Sequence, residues 1–311
     1  MSNNGKVISV NISEEKGTVK LPVGEILVDK NGIVNDAHSG RWHRQVSLLS
    51  QDDIDCFCKE TGRKIAPGEF AENITMAGID LNRVAVFDRF KINDVELEVT
   101  QIGKECHGDS CAIYQQAGKC VMPKKGLFCR VLRPGKIKPE DAVEYFQKQL
   151  RLSIITLSDR AFEGQYIDRS GPRAEQILQD YFAGKRWHCQ VNYVLLPDNA
   201  DRLKKELSKA IKEQVDVIFT LGSTGIGPRD IAPETVHAVC DKVIPGIMEN
   251  IRIKFGAGKP SALLSRSVAA IAGKTQIYAL PGSVHAVEEY LGEILKTLEH
   301  AIYMIYGLDI H

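Results

Sequence analysis

The stretch Leu221-Gly222-Ser223-Thr224-Gly225-Ile226-Gly227-Pro228-Arg229-Asp230 carries the first chemical suggestion in this chain. An apolar run at 215–221 precedes it, and Pro233-Glu234 follows as a first helical turn. Glycines between a strand and a helix let backbone N–H groups approach a ligand closely, and a helix N-terminus favours anions. An Arg-Asp pair closes the loop. The residues predict a phosphate- or pterin-binding loop with a carboxylate placed to hold a metal. It is no Walker A loop, since no Gly-Lys-Ser/Thr follows, and no Gly-x-Gly-x-x-Gly fingerprint. The competing reading is a tight strand-to-helix connection whose glycines supply positive φ. A second suggestion is the cysteine distribution. Six of eight cysteines fall in the first half, at 56, 58, 106, 111, 120 and 129. That raises a reactive or metal-binding thiol there.

The elements that must position these groups divide the chain in two. Residues 1–135 read as mostly β, with short apolar alternations at 6–12, 24–29, 82–100 and 127–132 and turn signals at Asn31-Gly32 and Asn93-Asp94. The best helix of this half is 51–58. A linker helix is expected at 136–150, with Pro139 in its first turn and Glu140-Asp141 at its N-terminus. From 151 to 311 strands at 152–157, 189–196, 215–221 and 276–280 alternate with helices at 172–182, 200–212, 245–255, 261–272 and 283–306. That pattern predicts an α/β parallel sheet covered on both faces. Ligands in such sheets bind beyond the carboxyl ends of the strands. Ser158-Asp159-Arg160, Pro197-Asp198, the glycine loop and Pro281-Gly282-Ser283 all stand at those ends.

Composition excludes several classes. The 311 residues are about two domains' worth, and 40 basic residues balance 40 acidic ones. No basic field exists for general nucleic-acid binding. No apolar run is long enough for a membrane span, and residues 1–5 lack an apolar signal region. A cytoplasmic protein with reduced thiols is expected.

Taken in order, Ser158-Asp159-Arg160, Asp168-Arg169-Ser170-Gly171, Thr224-Gly225, Arg229-Asp230, Pro233-Glu234, Pro245-Gly246, Ser265-Arg266 and Pro281-Gly282-Ser283 resemble the molybdopterin adenylyltransferase family over about residues 150–307. The resemblance implies a molybdopterin-binding α/β fold and a step of molybdenum cofactor synthesis. In that step molybdopterin and ATP give adenylyl-molybdopterin and pyrophosphate, with Mg²⁺. It implies Mg²⁺ binding by Asp198 and Asp230. It implies substrate contacts from Ser158, Asp159, Gly222, Ser223, Thr224, Gly225, Arg229, Ser265, Arg266, Pro281, Gly282 and Ser283. Asp198 has a competing reading as a helix N-cap, and Arg266 as a structural ion pair. The family usually has Gly where this chain has Ser223 and Thr where it has Ala232. Family members are usually trimers, so a homo-oligomer is expected.

The first half resembles the MOSC domain over about residues 5–135. The resemblance rests on Asp36, His38, Gly40, Arg44-Gln45-Val46, Gly68-Glu69-Phe70, Glu72-Asn73 and Gln101-Ile102-Gly103-Lys104-Glu105-Cys106-His107. It implies a barrel-like mostly β fold, molybdenum cofactor binding with His38 and Arg44 meeting anionic pterin groups, and sulfur handling in some members. Cys106 matches the characteristic cysteine. Its thiolate could carry a persulfide, with Lys104 and His107 near in sequence to lower its pKa. Zinc held by Cys106, His107, Cys111 and Cys120 is a further reading. The two halves together imply a protein of molybdenum cofactor biosynthesis, with other proteins of that pathway as partners. No pyridoxal phosphate site, nucleic acid or membrane is implied. A non-catalytic cofactor carrier and a molybdate insertion enzyme are the alternatives.

Overall fold

The computed structural model describes residues 3–105 and 120–309, in two compact units that divide after Lys148. Among the described residues the first unit holds β1 (Asn4–Ile12), β2 (Leu21–Val23), β3 (Ile26–Asp29), β4 (Gly32–Ile33), β5 (Val46–Ser50), α1 (Gln51–Thr61), β6 (Ile74–Ala77), β7 (Arg89–Ile92) and β8 (Val95–Ile102). A helical turn α2 (Met122–Lys125), β9 (Leu127–Arg133), β10 (Gly135–Ile137) and β11 (Ala142–Phe146) complete it. Seven strands run β11-β7-β8-β9-β5-β6-β1, and pairing of β1 with β11 closes the ring. Closure removes both sheet edges. The barrel interior is filled by alternate residues such as Val10, Leu48, Phe90, Leu97 and Val143.

The expected linker helix at 136–150 is not there. Residues 142–146 alternate exposed and buried, Val143 and Tyr145 pointing into the core. They form the last barrel strand, between β1 and β7. The acidic pair that suggested a helix start belongs to a turn. Glu140 has φ 71°, and the Asp141 carboxylate accepts from the Lys138 N–H and the Asn93 side chain at 2.8 and 2.7 Å. A period-2 pattern over five residues outweighed the helix-start residues because it offered a closed ring.

The second unit contains β12 (Gln149–Leu157), α3 (Asp159–Phe162), α4 (Ser170–Ala183), β13 (His188–Leu196), α5 (Ala200–Lys212), β14 (Val217–Leu221), α6 (Ala232–His237) and β15 (Lys242–Val243). After these come α7 (Pro245–Gly256), a 3₁₀ turn (Pro260–Leu264), β16 (Val268–Ala272), β17 (Thr275–Leu280) and α8 (Val284–Ile305). The sheet order is β13-β12-β14-β17-β16-β15, with the first four strands parallel. The expectation of a parallel sheet needs one correction: β16 and β15 are antiparallel additions. Residues 268–272 were expected inside a helix. They are a strand because Gly273, at φ 58°, and Lys274 make a two-residue turn that pairs Ala272 with Thr275. The alanines of this run favour helix locally, but the hairpin buries nearly all of them.

Registry aligns the strand ends. Leu157 pairs with Leu196, Thr156 with Leu221, and Leu221 with Leu280. Residues 158, 197, 222 and 281 therefore leave the sheet along one edge. From β12 the order runs outward both ways, to β13 on one side and β14 on the other. That is the topological switch point at which open α/β sheets form a crevice. No helix among the described residues is long and apolar enough to cross a membrane.

Candidate functional site

Two loops at the switch point lock together. The Asp198 N–H donates to Asp159 Oδ1 at 2.9 Å, and the Asp159 N–H donates to Asp198 Oδ2 at 3.3 Å. Arg229 reaches in from the glycine loop, its Nη1 3.5 Å from Asp159 Oδ2. Burial pushes the Asp198 carboxyl above the ordinary carboxylate range, and the Asp159 charge adds to this. Hydrogen bonds from the Asp159 backbone and Ser223, with the Arg229 charge, only partly offset it. The helix N-cap expected of Asp198 is made by Asn199 instead, whose side chain accepts from the Arg202 N–H at 2.9 Å. Ser158 caps α3, accepting from the Ala161 N–H at 3.3 Å, and lies 2.8 Å from the Tyr166 hydroxyl.

The glycines of the opening loop have separate jobs. Gly222 sits at φ 110°, and a Cβ there would lie 2.5 Å from the Leu157 carbonyl. Gly282 packs on Gly222, with a would-be Cβ 3.0 Å from its Cα. These two glycines let neighbouring strand ends crowd together. Gly225 makes room for the Asp230 carboxylate, whose Oδ2 would be 2.7 Å from a Cβ. That same oxygen accepts from the Gly227 N–H at 2.7 Å. Asp230 thus folds back on its own loop and bonds neither Asp159 nor Asp198.

Ser223 adopts φ 56°, a left-handed conformation that costs a non-glycine residue about 1–2 kcal/mol. Its hydroxyl donates to the Arg229 carbonyl at 2.9 Å and accepts from the Ile231 N–H at 3.0 Å. Ser223→Ala keeps the strained backbone and removes both bonds. Thermal or urea unfolding is expected to register a loss of about 1–3 kcal/mol. Ser223→Gly should recover part of it by relieving the strain. Equal stability of the alanine variant and the parent would contradict this account of the loop. Ala232 is fully buried, its N–H donates to the Ser223 carbonyl at 3.0 Å, and it does not line the cavity beside this loop.

A cavity of about 360 Å³ opens beside this loop. Ser223, Thr224, Gly225, Asp230, Ser265, Pro281, Gly282 and Ser283 all face it, so the structure gathers most of the expected binding residues at one wall. Ser283 also caps α8, its hydroxyl accepting from the Ala286 N–H at 3.3 Å, so the positive end of a 22-residue helix meets the cavity. Ser158, Asp159, Asp198, Gly222 and Arg229 do not line it, and neither does Arg266. Its Nε donates to the Gly225 carbonyl at 2.6 Å, its Nη2 to the Asp230 carbonyl at 3.0 Å, and its Nη1 pairs with Glu234. It braces the loop, as the structural alternative anticipated. Among the cavity residues that escaped the sequence are Lys259, Ser261, Glu289 and Tyr290. The signal was present for Tyr290, since 283, 286 and 290 share one helix face.

In the first unit His38 joins a buried network. Lys20 and Asp36, each with a side chain 1% exposed, form an ion pair. The Asp36 carboxylate also accepts from the Ser13 N–H and the Asn73 side chain, each at 3.1 Å, and from the His38 N–H at 3.0 Å. Burial alone would raise the Asp36 carboxyl, but hydrogen bonds from His38 and Lys20 and the Lys20 charge hold it well below the ordinary range. The His38 Nδ1 lies 3.3 Å from the Lys20 ammonium and 3.5 Å from Asp36 Oδ1. Arg44 stacks over Trp42, 4.7 Å from the ring centre, and its Nε is buried with no partner. Cys106, His107 and Cys111 lie outside the described residues, so neither the persulfide nor the zinc arrangement is seen. Cys120 is half-buried against the core beneath α1.

Known proteins match both units. A family model described as "Probable molybdopterin binding domain" covers residues 153–300, and a MOSC domain model covers residues 35–144. The molybdopterin adenylyltransferase of Helicobacter pylori is 33% identical over 159 residues, which span 51% of this chain and 89% of that protein. The chain belongs to the molybdopterin-binding domain family. Its second unit carries that membership, and its first unit carries a MOSC domain. Within the family, the molybdenum cofactor synthesis protein cinnamon of Drosophila melanogaster is 35% identical over 159 residues, 51% of this chain and 26% of its own length. A solved structure of the molybdopterin biosynthesis Mog protein from Mycobacterium ulcerans is 35% identical, covering 50% of this chain and 98% of that one with a TM-score of 0.45.

Proposed function

We propose that the second unit adenylylates molybdopterin. One observation carries the reading: a cavity of ligand size, lined by the glycine loop and Asp230, opens at the strand ends on a stretch 33% identical to a named molybdopterin adenylyltransferase across 89% of that protein. In the reaction a phosphate oxygen of molybdopterin bonds to the α-phosphorus of ATP. The bond from that phosphorus to the oxygen bridging to the β-phosphate breaks, and pyrophosphate leaves. Several negative charges meet, so positioning and fixed positive charge do most of the work. The N-terminus of α8, the Ser265 and Ser283 hydroxyls and the Lys259 ammonium serve that purpose at the cavity. Arg229, 79% exposed, stands where it can follow the phosphates.

The acidic residues fit Mg²⁺. Asp159 and Asp198 are crowded carboxylates that a hard cation relieves, and Mg²⁺ takes one or two carboxylates plus substrate phosphates. Among the described residues no three His, Cys, Asp or Glu form one metal-holding group. Asp198 with Asp159 would hold the ion, and Asp230 would meet it from the cavity side through water or a phosphate oxygen. When bound, it would supply positive charge to the phosphates. Incubation with molybdopterin and Mg-ATP is expected to yield adenylyl-molybdopterin and pyrophosphate. Binding without pyrophosphate release would leave a carrier and end the enzyme reading.

The MOSC unit is proposed to bind the pterin intermediate or finished cofactor, with His38 and Arg44 toward its anionic groups and sulfur carried on Cys106. Mass spectrometry after treatment with a low-molecular-weight persulfide, whose outer sulfur passes to the Cys106 thiolate while the donor leaves as a thiol, should find a persulfide on Cys106. Its absence, with Cys106→Ser behaving as wild type, leaves binding alone. A cytoplasmic homo-oligomer, a trimer as in the family, completes the proposal. The exposed Ile167, Ile226 and Ile253 of the second unit support assembly.

A further inference from the structure

The cavity contains a charge that its phosphate chemistry does not explain. Glu289 lies on its wall, beside an anion-favouring helix end, with Lys259 lining the same cavity and the His285 Nε2 3.0 Å from Glu289 Oε1. A carboxylate in a site for an anionic ligand repels that ligand unless it meets hydrogen-bond donors. Both Glu289 oxygens keep free lone pairs, since each can accept two bonds. The next residue, Tyr290, is 2% exposed, lines the same cavity, and its hydroxyl has no hydrogen-bond partner. A buried hydroxyl without a partner costs stability, so its survival calls for a partner that arrives from outside.

We infer that Glu289 is the specificity-determining residue for the heterocycle: its carboxylate accepts the ring N–H and the exocyclic amino group of the pterin's aminopyrimidinone ring, with Tyr290 donating to a ring acceptor beside them. This rests on the reading of the cavity as a molybdopterin site. The two parallel donors of a pterin edge match a carboxylate as a guanidinium does. Adenine offers one donor next to one acceptor, which suits an amide and leaves a carboxylate oxygen facing a lone pair. Glu289 therefore assigns the cavity to the pterin, and the adenosine of ATP lies elsewhere.

The test compares binding of pterin-6-carboxylate with lumazine-6-carboxylate, in which an oxygen replaces the 2-amino group. The full-length wild type should prefer the pterin by about 10- to 100-fold, the effect of a hydrogen bond to a charged group. Glu289→Gln is nearly isosteric and should abolish that preference while leaving ATP affinity unchanged. Tyr290→Phe should weaken pterin binding by about 3- to 10-fold without lowering the melting temperature of the empty protein, because its hydroxyl has no partner there. A wild type that binds the pterin, with Glu289→Gln keeping the full preference, overturns this inference and leaves the proposed function standing. A loss of ATP affinity in Glu289→Gln assigns the wall to adenosine and overturns it as well. A wild type that binds neither the pterin probe nor molybdopterin removes both.

Discussion

Asp198→Asn is expected to lower adenylyl transfer by about 10²- to 10³-fold, the scale of losing one preorganised charge at a reacting phosphate. The amide keeps the size of the side chain and one oxygen acceptor for the Asp159 N–H, so the two loops stay joined. What disappears is the negative charge. Stability should move the other way. The Asp198 carboxyl is raised in the fold by burial and by Asp159, so the folded protein holds its proton to higher pH than the unfolded chain does. Its ionisation therefore costs stability once the pH exceeds the unfolded carboxylate value, and the cost is complete above the raised folded value. Removing the charge should leave the melting temperature at pH 7 equal or higher. A slow but undiminished fold is the signature of a residue kept for function. Asp230→Asn should also slow turnover strongly, since an amide oxygen still accepts from the Gly227 N–H and keeps the loop in place. Parental rates in both variants would reject the metal assignment. Turnover in the parent should also fall at a higher pH than an ordinary carboxylate would dictate, as Asp198 takes up its proton.

Asp36→Asn is expected to destabilise the barrel by about 3–5 kcal/mol, because it leaves the Lys20 ammonium buried without its counter-charge. Glu72 also faces Lys20, but burial pushes its carboxyl up and makes it a poor substitute. Asp36 is held well below the ordinary carboxylate range. Its stabilisation is therefore present in full above the unfolded carboxylate value and is lost as pH falls through the lower folded value. The gap between parent and variant should be complete at pH 7 and close only in strong acid. Urea unfolding followed by alkylation of Cys129, a thiol buried in the barrel core, reads this opening. Replacing Lys20 and Asp36 together by apolar residues of like volume should cost less than Asp36→Asn alone. A variant at pH 7 within about 1 kcal/mol of the parent would show that the pair is not what holds this network.

Much of the molecule was legible along the chain. The run 152–157 is mostly apolar and buried throughout because β12 is covered on both faces, and Arg89-Phe90-Lys91-Ile92 alternates because one face of β7 meets the barrel interior. Such patterns are local, and they located the four parallel strands and the four long helices of the second unit together with its four strand-end motifs. Helix 136–150 and the helical reading of 268–272 failed for a shared reason. Helix-start residues at 139–141 and alanines at 269–272 state a local preference, whereas strand pairing is decided by a distant partner. β11 needed the open edges of β1 and β7, and β16 needed β17.

The glycine loop follows the same division. Its place after an apolar strand, its glycines and its closing Arg229-Asp230 were determined by the sequence. So was the prospect of an anionic ligand, because these residue types have fixed chemistry. Tertiary structure alone decided what each residue touches. It paired Asp198 with Asp159 across 39 residues, turned Asp230 back onto Gly227, and made Arg266 a brace for Gly225 and Asp230. It also brought Glu289 and Tyr290 of the last helix to the cavity that the loop lines. Periodicity encodes which side of an element is buried, but a hydrogen bond between loops depends on distances set only when the sheet has assembled.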